Sequence, residues 1–446
     1  MLKLPDVFKL VTSFEHDTRR IKKGALYIAI KGENLDGHDF VKEAEEKGAT
    51  ACVVERKINN VDIPQIIVDD SVKAYGELAV LWREKVKYPL VAITGSNGKT
   101  TTKDIIYKIL SARHRVVKTQ GNFNNLIGVP YTVLNFPLDA DHGIVEFGMN
   151  AKGEIARLSE ITRPQVALIT NIGRAHIGKL GSLEKVAEAK LELFHHMLGK
   201  PAVFIINADD KKIFEWFNRT RPSNSLQKFI LFSCLENKEA DVVVKNMGGD
   251  SQTQKFELCV KNNSPEYGTI NLPGEHNLCN IAAGVAVANY FGVTSKECVA
   301  ALKDFVPPSM RSTLTIKDDV EYMVDCYNAN PDSMSAALRS CAKIQNAKRH
   351  IAVIGDMMEL DGMEPELHTE IGRLLGELKY DFIFAVGNYS KYYEQGLKSI
   401  SATGNIKVYA LNEMEKLKKD IKSFVEKGDA VLVKASRAVE LEKIFE

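Results

Sequence analysis

Residues 89–110 read PLVAITGSNGKTTTKDIIYKIL, and no other stretch of the chain restricts its fold so tightly. Leu90–Thr94 is a short apolar run with β-branched residues, the composition of a buried parallel strand. Gly95, Ser96, Asn97 and Gly98 make a tight turn. Lys99, Thr100 and Thr101 then open a helix whose Ile105, Ile106, Ile109 and Leu110 recur at helical spacing. Glycines let backbone N–H groups approach a polyphosphate, and a helix N-terminus adds partial positive charge. Lys99 is placed to reach the β- and γ-phosphates, and Thr100 to offer a hydroxyl to Mg2+. Ile93 stands where the longer G-x-x-x-x-G-K-T loop has its first glycine. The alternative is an ordinary strand-to-helix turn, but the strand before and the helix after favour nucleotide binding.

At 446 residues the chain is too long for one core, so two to four domains are expected. A net charge of +1 gives no global attraction to nucleic acid or an anionic membrane. No run is apolar and long enough to span a bilayer, and the charged opening MLKLPDVFKLVTSFEHD has no signal-peptide core. Seven cysteines without a C-x-x-C pair point to reduced thiols in a cytoplasm, not to a disulfide scaffold or zinc site.

In chain order, residues 1–88 read as a small α/β unit, with strands at Ala25–Ile30, Ala51–Val54 and Gln65–Val68 and helices at Phe40–Lys47 and Val72–Lys85. A glycine-punctuated loop after its first strand contains Gly37 and His38, and Thr18 and Arg19 lie upstream. Such loops bind ligands in α/β sheets, though taken alone both segments read as plain turns. Residues 89–308 form the largest unit. Asn122, Asn124 and Asn125 build either an Asn-rich turn or a set of uncharged donors and acceptors for a polar ligand. His142–Asn150 holds a strand ending in Glu146, a carboxylate in the place of a second Mg2+ ligand. The strand Val166–Thr170 leads to His176, either a satisfied histidine or a site residue beside the phosphate loop. In the helix Ser182–Phe194, Lys190 falls on the apolar stripe of Leu183, Val186, Ala187 and Phe194. It either snorkels or is desolvated into a neutral amine. Asn277 and Asn280 lie one turn apart at the start of a helix rich in small residues, as caps or as ligands.

Pro307-Pro308 marks a linker. Residues 309–446 alternate strand and helix as a doubly wound domain, ending in a helix that reaches Phe445. Asp325, Tyr327, Asn328, Asn330, Asp356, Glu359 and Ser436 fall at its strand ends.

The ordered motifs TGSNGKTTTK, GNFNNLIGVP, VEFGMN, TNIGRAHIGKLGS, EAKLELF, GEHNLCNIAA, DCYNANPDSM, GDMMEL and VLVKASR resemble the Mur ligases of peptidoglycan synthesis over nearly the whole chain. GNxNNxxGxP, YNANPxSM and GDMxEL resemble the branch that adds D-alanyl-D-alanine. Met310, before Arg311, departs from the glycine that this pattern has. The resemblance implies three α/β domains: a small N-terminal domain for the UDP-sugar (1–88), a central P-loop-type ATP domain (89–308) and a C-terminal Rossmann-like domain for the dipeptide (309–446). It implies a cytoplasmic ligase, expected to be a monomer, that joins D-Ala-D-Ala to the carboxylate of UDP-MurNAc-tripeptide and turns ATP into ADP and phosphate. Lys99, Arg311 and two Mg2+ ions would meet phosphoryl charge. Thr100 and Glu146 would hold one ion, and Glu146, His176 and a carbamylated Lys190 would organise the other. Asn280 would face adenine, Asp325 the ribose, and Asn277 would support them. Tyr327, Asn328, Asn330 and Ser436 are candidates for the dipeptide. Thr18, Arg19, Gly37, His38, Asn122, Asn124 and Asn125 are candidates for the nucleotide-sugar. A third-residue-adding Mur ligase, a folylpolyglutamate-type ligase and a non-catalytic ATP-binding regulator are the alternatives.

Overall fold

The computed structural model describes residues 3–221, 226–250, 252–307, 310–311, 313–400 and 404–445, so Pro308 of the expected linker lies outside it. Two compact units are formed. One comprises Met1–Thr94, His114–Ala167 and Glu192–Val203, and the other Gly95–Arg113, Leu168–Leu191 and Phe204–Glu446.

The first sheet holds β1 (Ser13–Glu15), β2 (Ala25–Ile28), β3 (Ala49–Val54) and β4 (Gln65–Ile67), all parallel and in chain order. Tyr27, Cys52 and Val54 pack against Val41 and Ala44 of the Val41–Glu46 helix. That helix starts later than the sequence suggests, because the Asp36 carboxylate accepts the His38 N–H and winds Gly37–Phe40 into a 3-10 turn.

The largest sheet contains β5 (Leu90–Thr94), β6 (Val116–Lys118), β7 (His142–Glu146), β8 (Val166–Ile169), β9 (Ala202–Asn207), β10 (Gln227–Ser233), β11 (Val242–Gly249), β12 (Gln254–Val260) and β13 (Glu266–Ile270). Its order is β13-β12-β11-β10-β9-β8-β5-β7-β6. Every residue of β5 and β7 is buried, and Ile93 lies opposite Glu146 in their parallel register. The Lys99–Leu110 helix packs through Ile105 and Ile106 on the His276–Tyr290 helix at Gly284, where a Cβ would meet Ile105 Cγ2 at 2.4 Å. The small residues of that second helix allow the approach.

The cysteine expectation needs correction. Cys234, just after β10, forms a disulfide with Cys279 in the first turn of the His276–Tyr290 helix. The two are 45 residues apart in sequence, so no local spacing reveals the pair. The other five cysteines are free.

The third sheet holds β14 (Thr313–Lys317), β15 (Val320–Val324), β16 (His350–Gly355), β17 (Phe382–Val386), β18 (Asn405–Tyr409) and β19 (Ala430–Lys434). Its order is β14-β15-β19-β16-β17-β18, with β14 antiparallel to β15 and the other pairs parallel. Met334, Leu338, Ile371 and Leu375 build the core on one face, and Leu417, Ile421 and Leu441 build it on the other. The expected last helix is instead two 3-10 turns, Arg437–Val439 and Leu441–Phe445, interrupted by Glu440 at φ +50°.

The disulfide sets a first expectation. The denatured, unreduced protein should titrate five thiols, and a count of seven would show the pair unformed. Dithiothreitol should lower the thermal midpoint of the wild type, with about 2–4 kcal/mol of stability lost, and leave Cys234→Ser unmoved.

Candidate active site

The segment after β8 holds the turn at Gly95–Gly98 from outside. Ser96 N donates to Asn171 O (2.9 Å), and Asn97 N to Asn171 Oδ1 (3.0 Å). Thr170 Oγ1 donates to Asn97 O (2.6 Å), and Ser96 Oγ exchanges hydrogen bonds with the backbone of Gly173 (2.8 and 2.9 Å). Neither glycine tolerates a side chain. A Cβ at Gly95 would fall 1.9 Å from Thr170 Oγ1, and one at Gly98 2.3 Å from Asn280 Oδ1. Gly98 also has φ +79° and opens the Lys99–Leu110 helix without any side-chain cap. An uncapped, twelve-residue helix behind a glycine cradle fits a phosphate group.

Asn277 and Asn280 do not cap their helix. Asn277 Nδ2 donates to Pro273 O (2.6 Å), Asn280 Nδ2 to Asn277 Oδ1 (2.8 Å), and Thr102 Oγ1 to Asn280 Oδ1 (3.1 Å). Buried polar groups require such pairing, and here it fixes Asn280 against the phosphate loop. Thr100 and Thr101 are buried in the first turn.

Lys99 is half-buried, its ammonium donating to Gly95 O at 2.7 Å. Lys190 is 1% exposed, deeper than a snorkelling side chain. Burial, and secondarily the Lys99 cation, push its pKa well below the ordinary lysine value. His176 stands at φ +61°, and its Nδ1 lies 2.7 Å from Glu359 Oε2 without hydrogen-bond geometry. Glu359 is held below the usual carboxylate range by His176, and also by Lys179 and Lys99. Lys99 thus stands at the loop as a cation, with Lys190 driven toward its neutral form beside it.

The loop residues of the third sheet meet the same turn. Asn330 caps the Pro331–Cys341 helix, accepting from Ser333 N (2.9 Å), and its Nδ2 donates to Asn97 Oδ1 (2.8 Å). Arg174 N and Nε donate to the Asp332 carboxylate (2.6 and 2.8 Å), and Arg174 NH1 to Glu370 Oε2 (2.7 Å). Sequence reading missed Arg174 although its motif was in view, because acidic partners 158 and 196 residues away leave no local signal. Met310 sits at φ +58°, in the left-handed region that glycine favours. Arg311 lies 3.8 Å above the Tyr327 ring. Lys434 Nζ donates to Asp325 Oδ2 at 2.6 Å. Asn328 is exposed and its Oδ1 accepts Ala329 N, and buried Ser436 accepts Met358 N (2.9 Å).

In the other unit, Glu146 is 2% exposed, and Asn124 Nδ2 donates to its Oε1 (3.0 Å). Asn125 Oδ1 accepts Ile127 N and Gly128 N, an Asx turn into the Gly128–Leu134 helix, while Asn122 is exposed. Thr18 donates to Glu43 (2.9 Å), and Arg19 forks onto Asp17 (2.7 and 2.9 Å), drawing that carboxyl down to about 2. His38 is buried with both ring nitrogens engaged, Nδ1 with Asp36 (2.6 Å) and Nε2 accepting Glu55 N (2.8 Å). Gly37 is required there, since a Cβ would meet Ile30 N at 2.6 Å.

A nucleotide cradle closed by a second α/β sheet, with a buried lysine beside its own lysine, is the arrangement of a Mur ligase. Family models for the Mur ligase family catalytic domain (residues 11–83), the Mur ligase middle domain (93–288) and the Mur ligase glutamate ligase domain (310–437) match, and the chain belongs to this family. It is 34% identical over 431 residues to the UDP-N-acetylmuramoyl-tripeptide–D-alanyl-D-alanine ligase of Bacillus subtilis, covering 96% of this chain and 91% of that one. The Escherichia coli enzyme of that name is 35% identical, covering 84% and 81%. A crystal structure of MurF from Acinetobacter baumannii superposes with a TM-score of 0.87 at 30% identity, covering 98% and 92%. The Thermotoga maritima MurF ligase in complex with ADP gives 0.85 at 29% identity, covering 100% and 97%.

Two outcomes are expected here. Lys99→Ala should lower turnover by about a hundredfold or more with little change in thermal midpoint, since the side chain fills no core space; loss of the unfolding transition would contradict this placement. Lys190→Met should be inactive yet at least as stable as the wild type, because an apolar chain of similar length removes a desolvated amine. A lower midpoint for that variant would show that Lys190 is a structural cation.

Proposed function

We propose that this chain is the ATP-dependent ligase that joins D-alanyl-D-alanine to the free carboxylate of UDP-N-acetylmuramoyl-tripeptide, through an acyl phosphate, in peptidoglycan precursor synthesis. The observation that carries the reading is the uncapped phosphate loop with Lys190 buried beside Lys99, in a chain related to such ligases over nearly its whole length. Residues 1–88 take the UDP-sugar, 89–308 ATP and 309–446 the dipeptide. We take the enzyme to work in the cytoplasm as a monomer, on its resemblance to such ligases.

ATP, when bound, supplies the phosphoryl group that makes the carboxylate oxygen a leaving group, and Mg2+ supplies positive charge beside it. The chain's own residues orient and neutralise. Lys99 turns from Gly95 O toward the phosphates, and Arg311 leaves the Tyr327 ring to meet developing phosphoryl charge. Asn280, held by Asn277 and Thr102, faces adenine. By resemblance Thr100 and Glu146 would hold one Mg2+, and Glu146, His176 and Lys190 would organise a second. As a carbamate, Lys190 offers oxygen where its ammonium would repel a cation; hard cations take such oxygen donors. Asp325 takes the ribose. Tyr327, Asn328, Asn330 and Ser436 line the dipeptide side. Thr18, Arg19, Gly37, His38, Asn122, Asn124 and Asn125 line the nucleotide-sugar side. The neutral amine forms the C–N bond at the acyl carbon and gives up one proton to solvent, and the tetrahedral centre collapses as the C–O bond to phosphate breaks.

The test is ligation with UDP-MurNAc-tripeptides ending in diaminopimelate or in lysine. Phosphate release that needs both tripeptide and D-Ala-D-Ala supports the reading, whereas activity with diaminopimelate or glutamate as the added amine, and none with D-Ala-D-Ala, sinks it. Lys190→Ala should be partly rescued by a short carboxylic acid; rescue by a small amine instead would defeat the carbamate. Arg311→Lys should lower turnover more than apparent ATP affinity, because a planar fork is replaced by a point charge. Unchanged turnover removes Arg311 from the site.

A further inference from the structure

Lys434 ends β19, the strand flanked by β15 and β16 in the middle of its sheet. Its side chain is 1% exposed, yet it carries an ammonium group. Three acceptors surround that group: Asp325 Oδ2 at 2.6 Å, Asn328 O at 2.9 Å and Asp325 O at 3.3 Å. An ammonium has three donors, so all are directed into one turn and none is left for a ligand. Asp325 is part-exposed, and Asn328 is open to solvent. The buried cation therefore sits beneath a turn whose upper side is accessible.

That turn stands beside the nucleotide elements. The Asp325 carboxylate and the Lys434 ammonium both act on His276, the residue before Asn277 in the helix that carries Asn280. Two residues after Asn328, Asn330 donates to Asn97 of the phosphate loop. The strand register fixes the base of the arrangement, because Val324 pairs with Val433 directly before the two charged residues.

We propose that Lys434 is the positioning residue of the nucleotide ribose subsite. It holds one oxygen of Asp325 and the two carbonyls beneath, so that the other carboxylate oxygen points to the ribose hydroxyls. The inference rests on Asp325 as the ribose ligand and adds what aims it. Lys434 touches no substrate. Without its ammonium, the carboxylate loses the charged donor at 2.6 Å and the turn loses the contacts to its two carbonyls. An unaimed acceptor still attracts a nucleotide weakly, but it no longer distinguishes a ribose that has hydroxyls from one that lacks them.

The experiment compares kcat/KM for ATP and for 2′,3′-dideoxy-ATP in the full-length enzyme. The wild type is expected to prefer ATP at least tenfold, and Asp325→Asn to lose most of that preference. Lys434→Met should reduce the preference to below threefold, with the loss in KM for ATP, and should add nothing in the Asp325→Asn background. A merely structural lysine would weaken both nucleotides alike and leave the ratio at its wild-type value. That result, with Asp325→Asn still losing the preference, overturns the role of Lys434 alone. A wild type with no preference overturns the ribose assignment of Asp325 and the proposal with it. Should Lys434→Met fail to fold, Lys434→Leu removes the donors on a shorter apolar stem, and the same ratio decides: a preference retained at the wild-type level counts against the proposal.

Discussion

The turn at Gly95–Gly98 keeps its shape because residues 170–173 hydrogen-bond it from outside. Thr170, Asn171 and Gly173 satisfy the amides of Ser96 and Asn97, the carbonyl of Asn97 and the hydroxyl of Ser96. Each such bond contributes about 1 kcal/mol net, but their placement matters more than their sum. They come from one side, and the helix behind the turn keeps an uncapped N-terminus. Gly95 and Gly98 are required by contacts as close as 1.9 and 2.3 Å, so the cradle depends on missing side chains as well as on bonds made.

Two buried lysines show how burial selects chemistry. Lys434 is met by a carboxylate oxygen and two carbonyls, so each donor of its buried head has an acceptor. Lys190 is as deeply buried, and the charge acting on it is the like charge of Lys99. Desolvation, and then the Lys99 cation, lower its pKa and so favour the neutral amine, the form that can react with CO2. The same residue type, equally buried, thus serves opposite ends according to the partners that the fold supplies.

What could be read in the sequence was local. The strand, turn and helix at 90–110 share one short segment, and Lys190 declared itself by falling on an apolar stripe of its own helix. At Met310 it was the family resemblance that called for glycine, and the backbone there does adopt φ +58°. What could not be read was distant. Asn280 has the form of a cap, and its partner Thr102 lies 178 residues away. Cys234 and Cys279 meet only after β10 and the His276–Tyr290 helix are placed. The terminal helix failed for another reason: the left-handed Glu440 breaks it, and glutamate gives no warning of that conformation.

Asn330 joins the two levels. As a cap, its carboxamide oxygen accepts the Ser333 amide, a local requirement of any helix start. Aspartate or serine would serve that purpose as well. Aspartate has no donor and serine carries its donor on a shorter stem, whereas the amide keeps a donor after capping, and that donor reaches Asn97 Oδ1. The choice of asparagine at this cap is therefore explained by the phosphate loop rather than by the helix. Arg174 repeats the pattern from the opposite side, joining the segment that shapes the loop to Asp332 in the first turn of the same helix. The start of this helix is thus tied both to the loop and to the segment that holds the loop. A displacement of the helix start strains contacts on the phosphate loop itself, and through this link the third sheet shares in the geometry of the nucleotide site.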